Sequence, residues 1–325
     1  MTRQPLLSGS IAYDYLMRFP GHFHEHILPE HLDRLSLSFL VDEMRKQWGG
    51  VSANIGYTMG LLGGHPLLFG TVGQDFGDYG EWLKQHHVDI SGVRVIEDKF
   101  TASFFVNTDL DNRQIASFYA GAMGDAAVLS MHDLDRAQIG FAVISPNAPD
   151  AMAKAVAECK VLGIPYIYDP SQQTVRLEEQ DLADGIDGSL MLIVNDYELE
   201  LIEKKTGMTS AEILAKTKHL IVTHGEKGVR IVADGETFQI PAVLTDHVAD
   251  PTGGGDAFRG GFLRAYEMGA DWETAGKIGA LAATYCLEAV GTQGQSFTLD
   301  QFVDRFKQAY GDVAEVMKVL GAPQS

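Results

Sequence analysis

The sequence predicts an α/β fold: a doubly wound, mostly parallel sheet with helices on both faces, plus a small β-rich lid. Three observations predict it. From the middle of the chain onward, short apolar runs alternate with helical patterns, strand then helix. Four polar residues, Ser145, Asp169, Asn195 and Thr223, each stand at or just after the end of an apolar run, where open α/β sheets bind ligands. Late in the chain a triple glycine, Gly253–Gly255, opens an apolar helix.

The elements follow in order. Strand-like runs are Leu6–Ile11, Leu67–Val72, Ala102–Val106, Ile115–Tyr119, Phe141–Ser145, Tyr166–Asp169, Leu190–Val194, Leu220–Thr223 and Val229–Ala233. Helical patterns cover 51–63, 78–87, 149–161, 196–206, 210–217, 255–268, 272–289 and 299–318; the last opens with Thr298 and Gln301 at capping-box spacing. Two segments break the alternation. Tyr15 to Met44 mixes polar and apolar residues, and 102–120 reads as two strands joined by the Asp109–Arg113 turn. Together, as about 13–46 and 100–122, they are expected to form the lid of a single domain spanning 1–325.

Composition excludes several functions. With 325 residues, 45% hydrophobic and 21% charged, the chain can bury a large core. A formal charge of −19 argues against nucleic-acid or anionic-membrane partners, which need a basic field. It leaves room for a phosphorylated ligand, because a local nest of N–H groups binds an anion even in an acidic protein. Two lone cysteines, Cys159 and Cys286, form no disulfide framework and no zinc site, and a reducing cytoplasm is the expected compartment. No apolar run approaches the roughly 18 residues of a membrane span.

The chemistry concentrates in a few motifs. In Asp250–Phe262 the glycines leave the first N–H groups of a helix open to an anion, with the dipole favouring negative charge. Asp256 beside them either caps the helix or takes a proton from an attacking hydroxyl. Trp48–Gly56 places Gly49 and Gly50 before a helix carrying Asn54, whose amide both donates and accepts and so suits a vicinal diol. Asp14, with Ser10, ends the first strand region, and a carboxylate there can accept from two adjacent hydroxyls. Asn195 and Glu198, three positions apart after a strand, read locally as a helix N-cap with an acidic first turn, a role that leaves room for another. Thr223–Gly228 is a glycine-containing connection between strands. His22, His24 and His26 alternate as strand neighbours would; with no further ligand indicated, they are read as a solvated lid rather than a metal site. Asp75–Gly77 spells a protein-kinase triplet without its companion motifs, and no Walker A sequence is present.

The Asp-x-Thr-Gly-x-Gly-Asp run and the Gly-Gly…Asn element, in that spacing and order, resemble the two signatures of the ribokinase-like (PfkB) carbohydrate and nucleoside kinases. Gly254 stands where that family usually has alanine, which removes no functional group. The resemblance implies ATP and Mg²⁺, with Asp256 as general base and Gly253, Gly254 and Gly255 as the anion hole. It implies Asp14, Gly49, Gly50 and Asn54, with Ser10, on the sugar. Asn195, Thr223, Gly225, Gly228, Thr252 and Gly291 fall to ATP, and Glu198 to Mg²⁺ largely through water. The stretch Ala289–Gly294 is expected to close over the adenine or a monovalent cation such as K⁺.

Finer likeness over His31–Asp42, Gln114–Met123 and Asp169–Gln173 resembles bacterial adenosine kinases of the actinobacterial type. It implies Phe104 and Phe118 on the purine faces, with Gln172, Gln173 and Arg176 near base or ribose. A planar base wants aromatic faces and a bare sugar does not; both phenylalanines as lid core is the plainer alternative. The expected activity is phosphorylation of a nucleoside 5′-hydroxyl, most simply adenosine to AMP. A ribokinase- or fructokinase-type sugar kinase and a non-catalytic ligand-binding member of the fold remain as alternatives. Exposed lid strands offer edges for a homodimer.

Overall fold

In the computed structural model residues 3–27 and 36–321 are described. The strands in chain order are β1 (Gln4–Ser8), β2 (Ala12–Arg18), β3 (Glu43–Gly49), β4 (Leu67–Gly73), β5 (Asp89–Ile96), β6 (Ala102–Thr108) and β7 (Gln114–Tyr119). They continue as β8 (Ile139–Ile144), β9 (Tyr166–Tyr168), β10 (Met191–Asn195), β11 (His219–Thr223), β12 (Val229–Ala233) and β13 (Glu236–Ile240). Nine of them form one sheet in the order β13-β12-β11-β10-β9-β8-β1-β4-β5. From β5 to β11 every pairing is parallel, and β12 and β13 are added antiparallel at one edge.

Side chains alternate across a strand, so the near-continuous apolar runs feed two cores. Leu7, Val143, Ile193 and Ile221 face Phe258, Phe262 and Leu281 on one side. Leu6, Ala142, Ile144, Leu192 and Val194 face Met152, Val156 and Ile202 on the other. Helices cover both faces, as the alternation required. A second sheet, β3-β2-β6-β7, is separate. It is antiparallel except for the β2–β6 pair.

Several boundaries differ from the sequence reading. The run Leu6–Ile11 ends as a strand at Ser8; the chain then crosses to β2 in the other sheet. β2, β3, β5, β13 and the helix Glu179–Ile186 were not anticipated. The helix expected over 299–318 is two, Leu299–Tyr310 and Ala314–Leu320, because Gly311 takes φ +87° and closes the first. Of the stretch His31–Asp42, residues 31–35 lie outside the described residues, as does the 28–35 part of the expected lid.

Candidate active site

Two helices, Val51–Leu61 and Gly254–Glu267, begin side by side, each with a glycine, Gly50 or Gly253, at its N-cap. Both glycines need positive φ, +93° and +84°. A Cβ on Gly50 would also lie 2.6 Å from the Ile11 and Ala12 backbone. The helices approach closely because Gly260 faces Thr58. Ser10 Oγ accepts from Val51 N at 3.0 Å, steadying the first of the two.

These two starts open into a cavity of about 560 Å³. Its walls include Ser10, Asp14, Gly50, Asn54, Thr252, Gly253 and Asp256, together with Phe104, Phe118, Gln172, Gln173 and Arg176. The second sheet supplies one wall through its register. Asp14 pairs with Phe104, and Phe104 with Phe118, so the carboxylate and both rings share one row of one face. Phe118 is 51% exposed; it is not lid core. Gln173 is buried and anchored by Nε2 donating to Asn147 O at 2.8 Å, while its Oε1 has no partner among the described residues. Gln172 and Arg176 are exposed. Gly49 backs Asp14: a Cβ there would meet Asp14 Oδ2 at 2.6 Å. Burial, with Asp256 and Asp250 nearby, pushes the Asp14 carboxyl up to about 7.

Asp256 lies in the first turn of its helix, and Asn54 Nδ2 donates to its Oδ2 at 2.9 Å. Burial raises its pKa; the Arg259 charge and the Asn54 hydrogen bond oppose that, and Glu198 adds to it. Asn54 was expected to bind a sugar, yet its amide is engaged within the protein on both atoms: Oδ1 lies 2.9 Å from Thr292 Oγ1 and accepts from Gln293 Nε2 at 3.0 Å. Gln293 was expected only as part of the Ala289–Gly294 stretch over the nucleotide; its contacts to Asn54 and Tyr79 were missed, because those partners lie more than 200 positions away. Sequence reasoning also missed Arg259, which is ion-paired with buried Asp169: Nη2 donates to Oδ1 at 2.7 Å, and Nε lies 2.6 Å from Oδ2 as a charge contact. Of the four polar residues following strands, Asp169 is thus consumed by Arg259. Ser145 is buried with its Oγ donating to Ser8 O. Neither reaches the cavity.

On the far side of Gly253–Asp256 lies a second cavity of about 340 Å³. Thr223, Gly225, Gly228, Gly254 and Gly255 line it, with apolar Val243, Leu244, Val248 and Phe258. Thr252, expected here, opens to the first cavity instead. Gly291 lines neither cavity; its N–H donates to Asp250 Oδ2 at 3.1 Å, and a Cβ on it would strike Gln47. Asn195 and Glu198 form a reciprocal capping box at the end of β10.

The donor chemistry suits a divalent cation. Glu198 is buried, and Glu198, Asp169 and Asp256 share one buried counter-charge, Arg259. That leaves surplus hard oxygen donors where Mg²⁺ prefers them. The histidines do not gather as a trio. His22 and His24 approach Asp111, but Arg113 Nη1 stands 2.8 Å from His24 Nδ1 and 2.9 Å from Asp111 Oδ2, so a guanidinium already takes the cation's place. His26 instead packs edge-on against Phe19 and Phe39.

The profile of the pfkB family carbohydrate kinases matches residues 12–298. The chain belongs to that family. It is a phosphotransferase with an alcohol acceptor, on a ribokinase-like fold. It is 38% identical to a Burkholderia thailandensis nucleoside kinase solved with inosine, over 95% of this chain and 98% of that one, with a TM-score of 0.83. The same enzyme has been solved with ADP-inosine. It is 30% identical to a nucleoside kinase of Methanocaldococcus jannaschii over 92% of this chain and 95% of that protein. A Lactococcus lactis ribokinase is 28% identical over 80% of this chain and 86% of its own length. The likeness is therefore to nucleoside kinases of an archaeon and of Burkholderia, and not specifically to actinobacterial adenosine kinases. Among the described residues no helix is long and apolar enough to cross a membrane.

Proposed function

We propose that this enzyme transfers the γ-phosphoryl group of ATP to the 5′-hydroxyl of a purine nucleoside, with adenosine and inosine as the first substrates to try. One observation carries the reading: a carboxylate and two aromatic rings share one sheet row, facing a cavity that meets a second cavity at Gly253–Asp256. Asp14 accepts from the ribose hydroxyls. Phe104 and Phe118 offer faces to the base, which a simple sugar would leave unused. Gln173 Oε1, fixed as an acceptor by the bond its nitrogen makes, suits a donor on the base edge.

Asp256 takes the hydroxyl proton. The N–H groups of Gly253, Gly254 and Gly255 face the transferring phosphoryl oxygens. The second cavity, with Thr223, Gly225 and Gly228, holds the nucleotide. Mg²⁺ near Asn195 and Glu198 supplies charge neutralisation on the phosphates when bound. The second sheet acts as a lid that keeps out competing water. Its edge strand β7 is exposed along its whole length and offers a pairing edge for a homodimer, which light scattering tests. A cytoplasmic location fits these substrates.

The experiment is ADP release measured side by side with adenosine, inosine, ribose and fructose. Turnover on the nucleosides, with little on either sugar, is the expected result. A preference for ribose or fructose would turn the reading to a sugar kinase. No ADP release with any of them would turn it to a binding protein.

A further inference from the structure

Behind Asp256 runs a chain of side-chain amides whose polarity is set at its far end. Trp82, on the helix Gly77–Gln85, points its indole N–H at Gln293 Oε1 at 3.0 Å. An indole nitrogen can only donate, so the oxygen of Gln293 must face it and the nitrogen must face away. That nitrogen donates to Asn54 Oδ1 at 3.0 Å and to Tyr79 Oη at 2.6 Å. With its oxygen held, Asn54 turns its own nitrogen to Asp256 Oδ2 at 2.9 Å. Tyr79 passes the second branch on, its hydroxyl donating to Gly49 O at 2.8 Å, on the backbone that backs Asp14. Asn54 and Gln293 are 4% and 5% exposed, so water does not compete for these bonds.

We propose that Gln293 is a positioning residue for phosphoryl transfer: oriented by Trp82, it fixes the Asn54 amide with its nitrogen toward Asp256, occupying one carboxylate oxygen and leaving the other for the acceptor hydroxyl. This rests on the reading of Asp256 as the base. The alternative orientation is costly. With both amides flipped, Asn54 Oδ1 would face Asp256 Oδ2, two acceptors in contact, and Gln293 N–H would face the indole N–H. The chain therefore has one satisfied arrangement, which removes rotational freedom from the base before substrate arrives.

The test uses the full-length enzyme. Gln293→Glu is nearly isosteric and still accepts from Trp82, but it cannot donate to Asn54. It should lower kcat about tenfold or more, with the nucleoside Kd by calorimetry and the ATP KM within about twofold of wild type. Gln293→Met, uncharged and of similar length, should show the same split, and a thermal melt on each variant separates misfolding from mispositioning. Trp82→Phe removes the orienting donor together with part of a ring packed on Tyr57 and His86, so its thermal melt is read beside its kcat, which should fall about threefold. Added to Asp256→Asn, Gln293→Glu should change the residual turnover less than twofold, because no base is left to position. Two folded Gln293 variants with wild-type kcat, or with Kd weakened as much as kcat, would overturn the proposal while leaving an inactive Asp256→Asn, and so the base, in place. Full turnover in Asp256→Asn would remove the base itself, and the positioning role with it.

Discussion

The two cavities that meet at Gly253–Asp256 are built in different ways. The nucleotide-side cavity sits on the end of one sheet, and its apolar wall comes largely from the 242–258 and 280–287 segments. The acceptor-side cavity is assembled from the second sheet, the loops that follow β1 and β8, two helix starts and the 172–176 turn. Its central contact joins Asn54 to Asp256 across 202 positions of sequence. The first should tolerate local change. The second should respond to single substitutions, because Asp256, Asn54 and Gln173 are held by partners on other elements.

The largest expected effect breaks the acceptor side alone. Asp256→Asn should lower kcat by about 10²–10⁴-fold while nucleoside binding by calorimetry stays close to wild type. Phe118→Ala comes next. It should weaken adenosine about tenfold or more, in line with the roughly 1–3 kcal/mol carried by an aromatic platform under a base, and leave ribose unaffected. Equal losses for both would mean that the ring does not stack.

Asp14 gives a pH signature. With its carboxyl raised to about 7, protonation below that value removes the acceptor for the sugar hydroxyls. Nucleoside kcat/KM should fall about tenfold per pH unit below about pH 7. Stability moves the opposite way. The native state keeps this proton up to about 7 while the unfolded chain releases it near the ordinary carboxyl value of 3.8, so the Asp14 contribution to stability falls as pH rises between those values. Denaturant melts on Asp14→Asn should lose that slope. The smallest effect belongs to the nucleotide side: Leu244→Ser, on an exposed apolar wall, should raise the ATP KM about threefold and leave nucleoside Kd unchanged.

The same contrast governs what could be read from the sequence. The interior of the large sheet was legible because its strands are buried on both faces and read as nearly unbroken apolar runs, whereas its edge strands β5 and β13 are half-exposed and mixed in sequence. β2 and β3 were not legible either. Their sequences, AYDYLMR and EMRKQWG, mix charge with apolar residues because most of their side chains keep some exposure to solvent. Glycine corners and the carboxylates beside them could be located, since helix starts and strand ends are local events. Asn54 was expected on the sugar and does line the acceptor cavity, but nothing local shows that Thr292 and Gln293 meet its oxygen and Asp256 its nitrogen. Gly291, given to the nucleotide by the family resemblance, lines neither cavity, and its contacts to Asp250 and Gln47 have no local signal in the sequence.

Asp14, Phe104 and Phe118 occupy neighbouring strands of one hydrogen-bonded plate. Any tilt of that plate carries the carboxylate proposed for the sugar and the rings proposed for the base by the same angle. A ligand with only one half of a nucleoside would then pull on the plate at a single point and recover only part of the work of closing it, so discrimination would be a property of the plate's movement as much as of any one contact.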